Sequence, residues 1–155
     1  MCKFSLLLSI VLTSLTVKAQ SLSVVGPCSA EALYHYEKND FQSQSVGEFT
    51  VQTFDLIGIN YLGTTRGMNS IEGSVTGMDA LEILSKSEMR AYGWCYSING
   101  SVPEEFADSI ELTSTKDKVV WFFAFAHYLD GQWVAQCVPA NSVKPIKLCA
   151  GQSEQ

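Results

Sequence analysis

The chain is poor in the residues from which most catalytic and metal sites are built. It has two histidines, His35 and His127, in 155 residues. His127 lies inside an apolar run and His35 lies between two tyrosines, settings that suit structural imidazoles better than a general base. No C-x-x-C, H-E-x-x-H, G-x-S-x-G or phosphate-cradling glycine loop occurs, so the common zinc, redox, hydrolase and nucleotide signatures are missing. The glycines at 58, 63 and 67 are spaced by turns. Basic residues are also scarce, ten Lys+Arg against sixteen Asp+Glu, for a formal net charge of −6. That balance argues against nucleic acid or an anionic membrane surface as a partner. The acids are scattered, with a small cluster at Glu104, Glu105 and Asp108, and read as a solvated surface. No catalytic residue and no metal ligand is expected.

What is present begins with a leader. Lys3 supplies a positive start, Phe4 to Leu15 an apolar run too short to span a bilayer, and Val17-Lys18-Ala19 a cleavage site before Gln20. The reading is a signal peptide over 1–19, a single domain over 20–155, and a secreted or periplasmic location with no stable membrane span. Cys2 leaves with the leader. The remaining Cys28, Cys95, Cys137 and Cys149 are an even set in an exported chain, which suggests two disulfides. Three pairings are open, of which Cys28–Cys149 with Cys95–Cys137 is the expected one.

The local patterns describe an α+β chain. Ser45 with Glu48 forms a capping box. Val46, Phe49, Thr53 and Leu56 recur on one helical face, widened by Val51 and Phe54. Gly58 then closes the helix, with Ile59 packing back on its last turn. Strands are expected over Ser21–Gly26, Glu31–Tyr36 (a short helix from Ser29 competes), Gly67–Gly73 and Ala91–Ile98. Thr76 to Asp79 resembles a second cap, and Leu81, Ile83 and Leu84 suggest a short helix over about 77–86. Asn99-Gly100 reads as a tight turn, and as part of a glycosylation sequon. Val119–Tyr128 is apolar enough for a central strand covered on both faces. Asp130-Gly131 turns it into a partner over Gln132–Val138, with Tyr128 facing Trp133, Ala126 facing Ala135 and Ala124 facing Cys137. The small side of that strand, Phe122, Ala124 and Ala126, would admit the helix. An irregular tail after Pro139 is held by Cys149. Together these predict a β-grasp-like mixed sheet on one main helix, about 46–57.

With those elements in place, F-T-V-Q-T-F-D-L-I-G-I-N-Y-L-G followed by R-G-M-N-S-I-E-G resembles the transcobalamin C-terminal-like domain family. Phe54 and Asp55 stand near that family's Asp-Ala-Leu, and Gly58, Tyr61, Gly63, Gly67 and Ile71 at its glycine and apolar positions. Tyr92 to Gly100 resembles its tryptophan–glycine–tyrosine strand, and Ala107–Leu112 with Lys118–Trp121 its closing strands. The likeness covers about Ser45 to Tyr128. Thr76 to Arg90 reads as an insertion and the cysteine-bearing tail as an addition. The resemblance implies a β-grasp-like binding module and, as cofactor, cobalamin or another flat molecule.

The candidate ligand-binding residues are aromatic. Tyr92, Trp94 and Tyr96 alternate on one side of a strand, and Trp133 sits at a hairpin tip. Such rings make a platform for a small flat ligand, or fill the core. The alternative is a protein partner engaged by a sheet edge or by the Trp133 hairpin.

Overall fold

A computed structural model describes residues 19–149. The expected leader, apart from Ala19, therefore lies outside the described residues. The strands are β1 (Gln20–Val25), β2 (Ala32–Lys38), β3 (Gln44–Ser45), β4 (Tyr61–Thr64), β5 (Gly67–Ile71), β6 (Leu81–Ile83), β7 (Glu88–Ile98), β8 (Glu111–Leu112), β9 (Lys118–Leu129) and β10 (Gln132–Pro139). The helices are α1 (Val46–Ile57) and the one-turn α2 (Ile146–Cys149). The main sheet runs β2-β1-β9-β7-β6, with β10 also paired to β9. β1 is parallel to β9, and the other pairs are antiparallel. The fold is thus α+β, a mixed sheet on one main helix.

Helix α1 is built as its sequence dictates. Glu48 N–H donates to Ser45 Oγ at 3.1 Å, and Ser45 N–H donates back to Glu48 Oε2 at 3.0 Å. At the far end Gly58 takes φ +75°, and Ile59 N–H bonds to the Phe54 carbonyl at 3.0 Å. The buried face is Val46, Gly47, Phe49, Thr50, Thr53 and Phe54. Leu56 does not share it and is 68% exposed. Its place ten residues from Val46 accumulates enough angular drift to leave the core. A Cβ at Gly47 would overlap the main-chain carbonyl of Thr65, so helix and β4–β5 turn touch backbone to backbone. Gly47→Ala is expected to cost about 1–3 kcal/mol, the range for overpacking a tight site. Urea unfolding checks this, and an unchanged midpoint would contradict the contact.

The helix covers the bulky side of β9, not the small one. Trp121 Nε1–H donates to Thr50 Oγ1 at 2.9 Å, and the Thr50 hydroxyl donates to the Val46 carbonyl at 2.7 Å. Leu22, Val24, Val119, Phe49 and Phe54 complete this core. The side carrying Phe122 takes Cys95 and its disulfide to Cys137 instead. Steric admission alone chose the wrong face, because a large indole with a partnered N–H fills more of the space beneath a helix than alanines do.

Four further expectations change. Residues 77–86 are not a helix: Gly77–Ala80 is a 3-10 turn, Thr76 makes no side-chain cap, and Leu81–Ile83 is strand β6. The short apolar run L-E-I-L fits either period, and pairing with β7 decides it. The β9–β10 register holds at Gln132↔Leu129 and Trp133↔Tyr128. It then slips at two bulges, so that Ala135 faces His127 and Pro139 faces Ala124. In Ala107–Leu112, Ala107–Ser109 is a 3-10 turn and only Glu111–Leu112 is extended. The tail after Pro139 is not irregular throughout, and forms a turn at Ala140–Ser142 and α2. Both disulfides pair as expected, with Cα separations of 5.6 Å for Cys28–Cys149 and 5.8 Å for Cys95–Cys137.

Candidate functional site

The rings proposed as a platform turn toward the core side of the sheet. In register, Tyr92, Trp94 and Tyr96 lie beside Phe125, Phe123 and Trp121. Tyr96 is buried and its ring lies 5.2 Å from Trp121, while Trp94 meets Phe123 edge to face at 5.3 Å. Their polar tips are engaged within the fold. Trp94 Nε1–H donates to Ser74 Oγ at 2.8 Å, and the Tyr96 hydroxyl to the Glu105 carbonyl at 2.8 Å. Trp133 does not join them. It is half exposed on β10, packed edge to face on Tyr128.

Tyr92 belongs to a separate cluster. Its hydroxyl donates to Glu82 Oε2 at 2.6 Å, and Arg90 donates to the same oxygen at 3.2 Å. Burial, then the carboxylate, raise the Tyr92 pKa to about 12 from 10.0. The folded state therefore holds this proton more tightly than the unfolded chain. The resulting stability is fully present below about pH 10 and is lost as pH rises through 12. Tyrosinate absorbance should show one of the six tyrosines titrating well after the exposed ones, and urea should abolish that delay. Simultaneous titration of all six would contradict the cluster.

The histidines have structural partners. His35 contacts Ser23 and the exposed Glu37, and His127 Nε2 lies 2.9 Å from Glu88 Oε1. All four described cysteines are in disulfides, so none is a free thiol beside them. Among the described residues no group of three His, Cys, Asp or Glu is placed to hold a metal ion. No described helix is long and apolar enough to cross a membrane.

β2 and β10 each pair on one side only, and the outer edge of β7 is open over part of its length. Glu88 accepts main-chain bonds from Leu84 and Ser85 on that edge, and Ile98 exchanges bonds with Ser101 on it. Strand alternation then points the main-chain N–H and C=O of Trp94 and Tyr96 the same way. β6 pairs only as far as Leu81↔Ala91, and Asn99-Gly100 turns back after one bridge, Ile98↔Ser101. Between them no strand of the described residues pairs with this edge of β7. The β4–β5 hairpin runs nearby but pairs only with itself.

That gap is a groove in two adjoining parts, of about 420 and 480 Å³, which share Met68, Asn69 and Trp94. One part ends at Val102, Pro103 and Phe106, with Glu104 and Glu105 on its rim. Val102 and Phe106 are 47% and 57% exposed. Arg66 lies over the Phe106 ring at 4.1 Å, and its carbonyl accepts from Ala107 N–H, which ties the hairpin turn to this loop. Burial raises the Tyr96 pKa, and the negative charges of Glu105 and Asp108 raise it further. Two carboxylates, Glu104 and Glu105, and one guanidinium, Arg66, line this end of the groove. The sequence flagged the aromatic rings and, as an alternative, a sheet edge, but not which edge, because an uncovered edge is a property of which strands fail to arrive.

The chain matches no protein-family profile, no curated protein and no solved structure.

Proposed function

We propose that this chain is an exported, non-catalytic binding module that accepts an extended polypeptide along the open edge of β7. The observation that carries this reading is the pair of unpartnered main-chain positions, Trp94 and Tyr96, facing a groove bounded by the β4–β5 hairpin. A strand added there would gain ladder hydrogen bonds. Its side chains would meet Met68, Val102 and Phe106 in the groove. The acidic rim favours a segment that alternates apolar residues with lysine or arginine. Two disulfides and the expected leader support an exported setting.

The helix block and the Trp94 strand also support a β-grasp-like, transcobalamin C-terminal-like reading, in which a corrinoid or other flat cofactor would be the occupant. A tryptophan fluorescence titration separates the two. A peptide alternating Val and Lys should change Trp94 emission saturably, and its Val–Glu counterpart should not. Charge reversal at Glu104 or Glu105 should weaken binding about 5-fold each, the equivalent of ~1 kcal/mol for an exposed ion pair. A response to cobalamin or haem with none to either peptide would replace this reading with the cofactor one.

A further inference from the structure

Gln20 is the first residue of β1 and is fully buried, yet neither its side-chain oxygen nor its side-chain nitrogen has a hydrogen-bond partner. It is also the residue that the leader reading places first after cleavage, on which the following inference rests. Cleavage there would set a charged α-ammonium at a fully buried position, beside a carboxamide that already lacks partners. Both are unfavourable in an apolar site. The adjacent residue, Ser21, is fixed by its N–H to the Asp117 carbonyl at 3.0 Å. The Asp117 carboxylate accepts from Thr113 N–H, Ser114 N–H and Asn99 Nδ2, so it is committed to the loops around it.

We propose that Gln20 closes on itself to an N-terminal pyroglutamate. The neutral α-amine attacks Cδ, the N–Cδ bond forms and the Cδ–Nε2 bond breaks. Nε2 leaves as ammonia, carrying the proton that the amine gives up. No oxidant or cofactor is consumed. The product is a neutral lactam that keeps the Cδ=Oε1 carbonyl and has one N–H, in place of an ammonium and a carboxamide. The terminal charge and the unpartnered amide nitrogen disappear together. Gln44 Nε2 and Arg90 Nε are also buried without a partner, but among the described residues Gln20 alone has both of its side-chain polar atoms so placed.

The test is to export the full chain from a secreting host and sequence its first peptide by fragmentation mass spectrometry with the disulfides intact. The expected peptide begins at residue 20, is lighter than its free-glutamine form by one ammonia, and resists Edman degradation. A start at Gln20 with an intact carboxamide that persists on incubation overturns the cyclisation while leaving the cleavage reading standing. A start at any other residue overturns the cleavage reading and the cyclisation with it. Gln20→Glu, whose carboxylate closes far more slowly, should keep a free amine and melt below the cyclised wild type. Equal melting of cyclised and uncyclised wild-type fractions would show that burial of Gln20 does not drive the reaction.

Discussion

Trp121→Ala is expected to destabilise the fold by about 3–5 kcal/mol, the cost of truncating a large buried aromatic. Trp121 is 1% exposed, packs on Tyr96 and bonds to Thr50, so it joins β9, β7 and α1 at one point. For a chain of this size each kcal/mol shifts the melting temperature by roughly 3–5 °C. The variant should therefore melt more than about 10 °C lower. Trp121→Phe separates packing from hydrogen bonding. It keeps most of the ring and loses the N–H, and should cost only about 1–2 kcal/mol. Equal losses from the two variants would mean that the hydrogen bond, not the packing, secures the helix to the sheet.

Removing the Cys28–Cys149 bond, as Cys28→Ala with Cys149→Ala, is expected to cost about 2–5 kcal/mol. The bond closes a loop of sequence separation 121, against 42 for Cys95–Cys137. In the chain-entropy picture the longer loop removes more freedom from the unfolded state, by about 0.9 kcal/mol. Its larger effect is local, because it ties α2 to the connection between β1 and β2. Urea unfolding of the two double-alanine variants gives both values. A stability unchanged by loss of Cys28–Cys149 would contradict this anchoring.

The parts of the fold legible in the sequence are those fixed by local chemistry. The Ser45–Glu48 box, the Gly58 cap and the Asp130-Gly131 turn each specify a backbone conformation within a few residues, and each forms as read. Asn99 and Gly100 also take positive φ, 52° and 85°, as a tight turn requires. The Asn99 amide is occupied by Asp117 and Lys118, so its side chain builds this turn. What escaped was decided at a distance. β6 is strand because β7 lies beside it. The second β9–β10 bulge arises where Cys137 turns to φ 51° and bonds to Cys95. The candidate site was half legible. Trp94 and Tyr96 were singled out for their rings, which serve the core, while the groups that face the groove are their main-chain amides.

Those amides give the most direct test of edge binding. Residue-resolved hydrogen exchange should be measured on the intact chain with and without the Val–Lys peptide. Pairing along β7 predicts that the Trp94 and Tyr96 amides exchange freely in the unbound protein and become protected when the peptide is added, with Gly93 and Cys95, which face β9, unchanged. Exchange at Trp94 and Tyr96 that is the same with and without saturating peptide, or protection confined to the Trp133 hairpin, would contradict it.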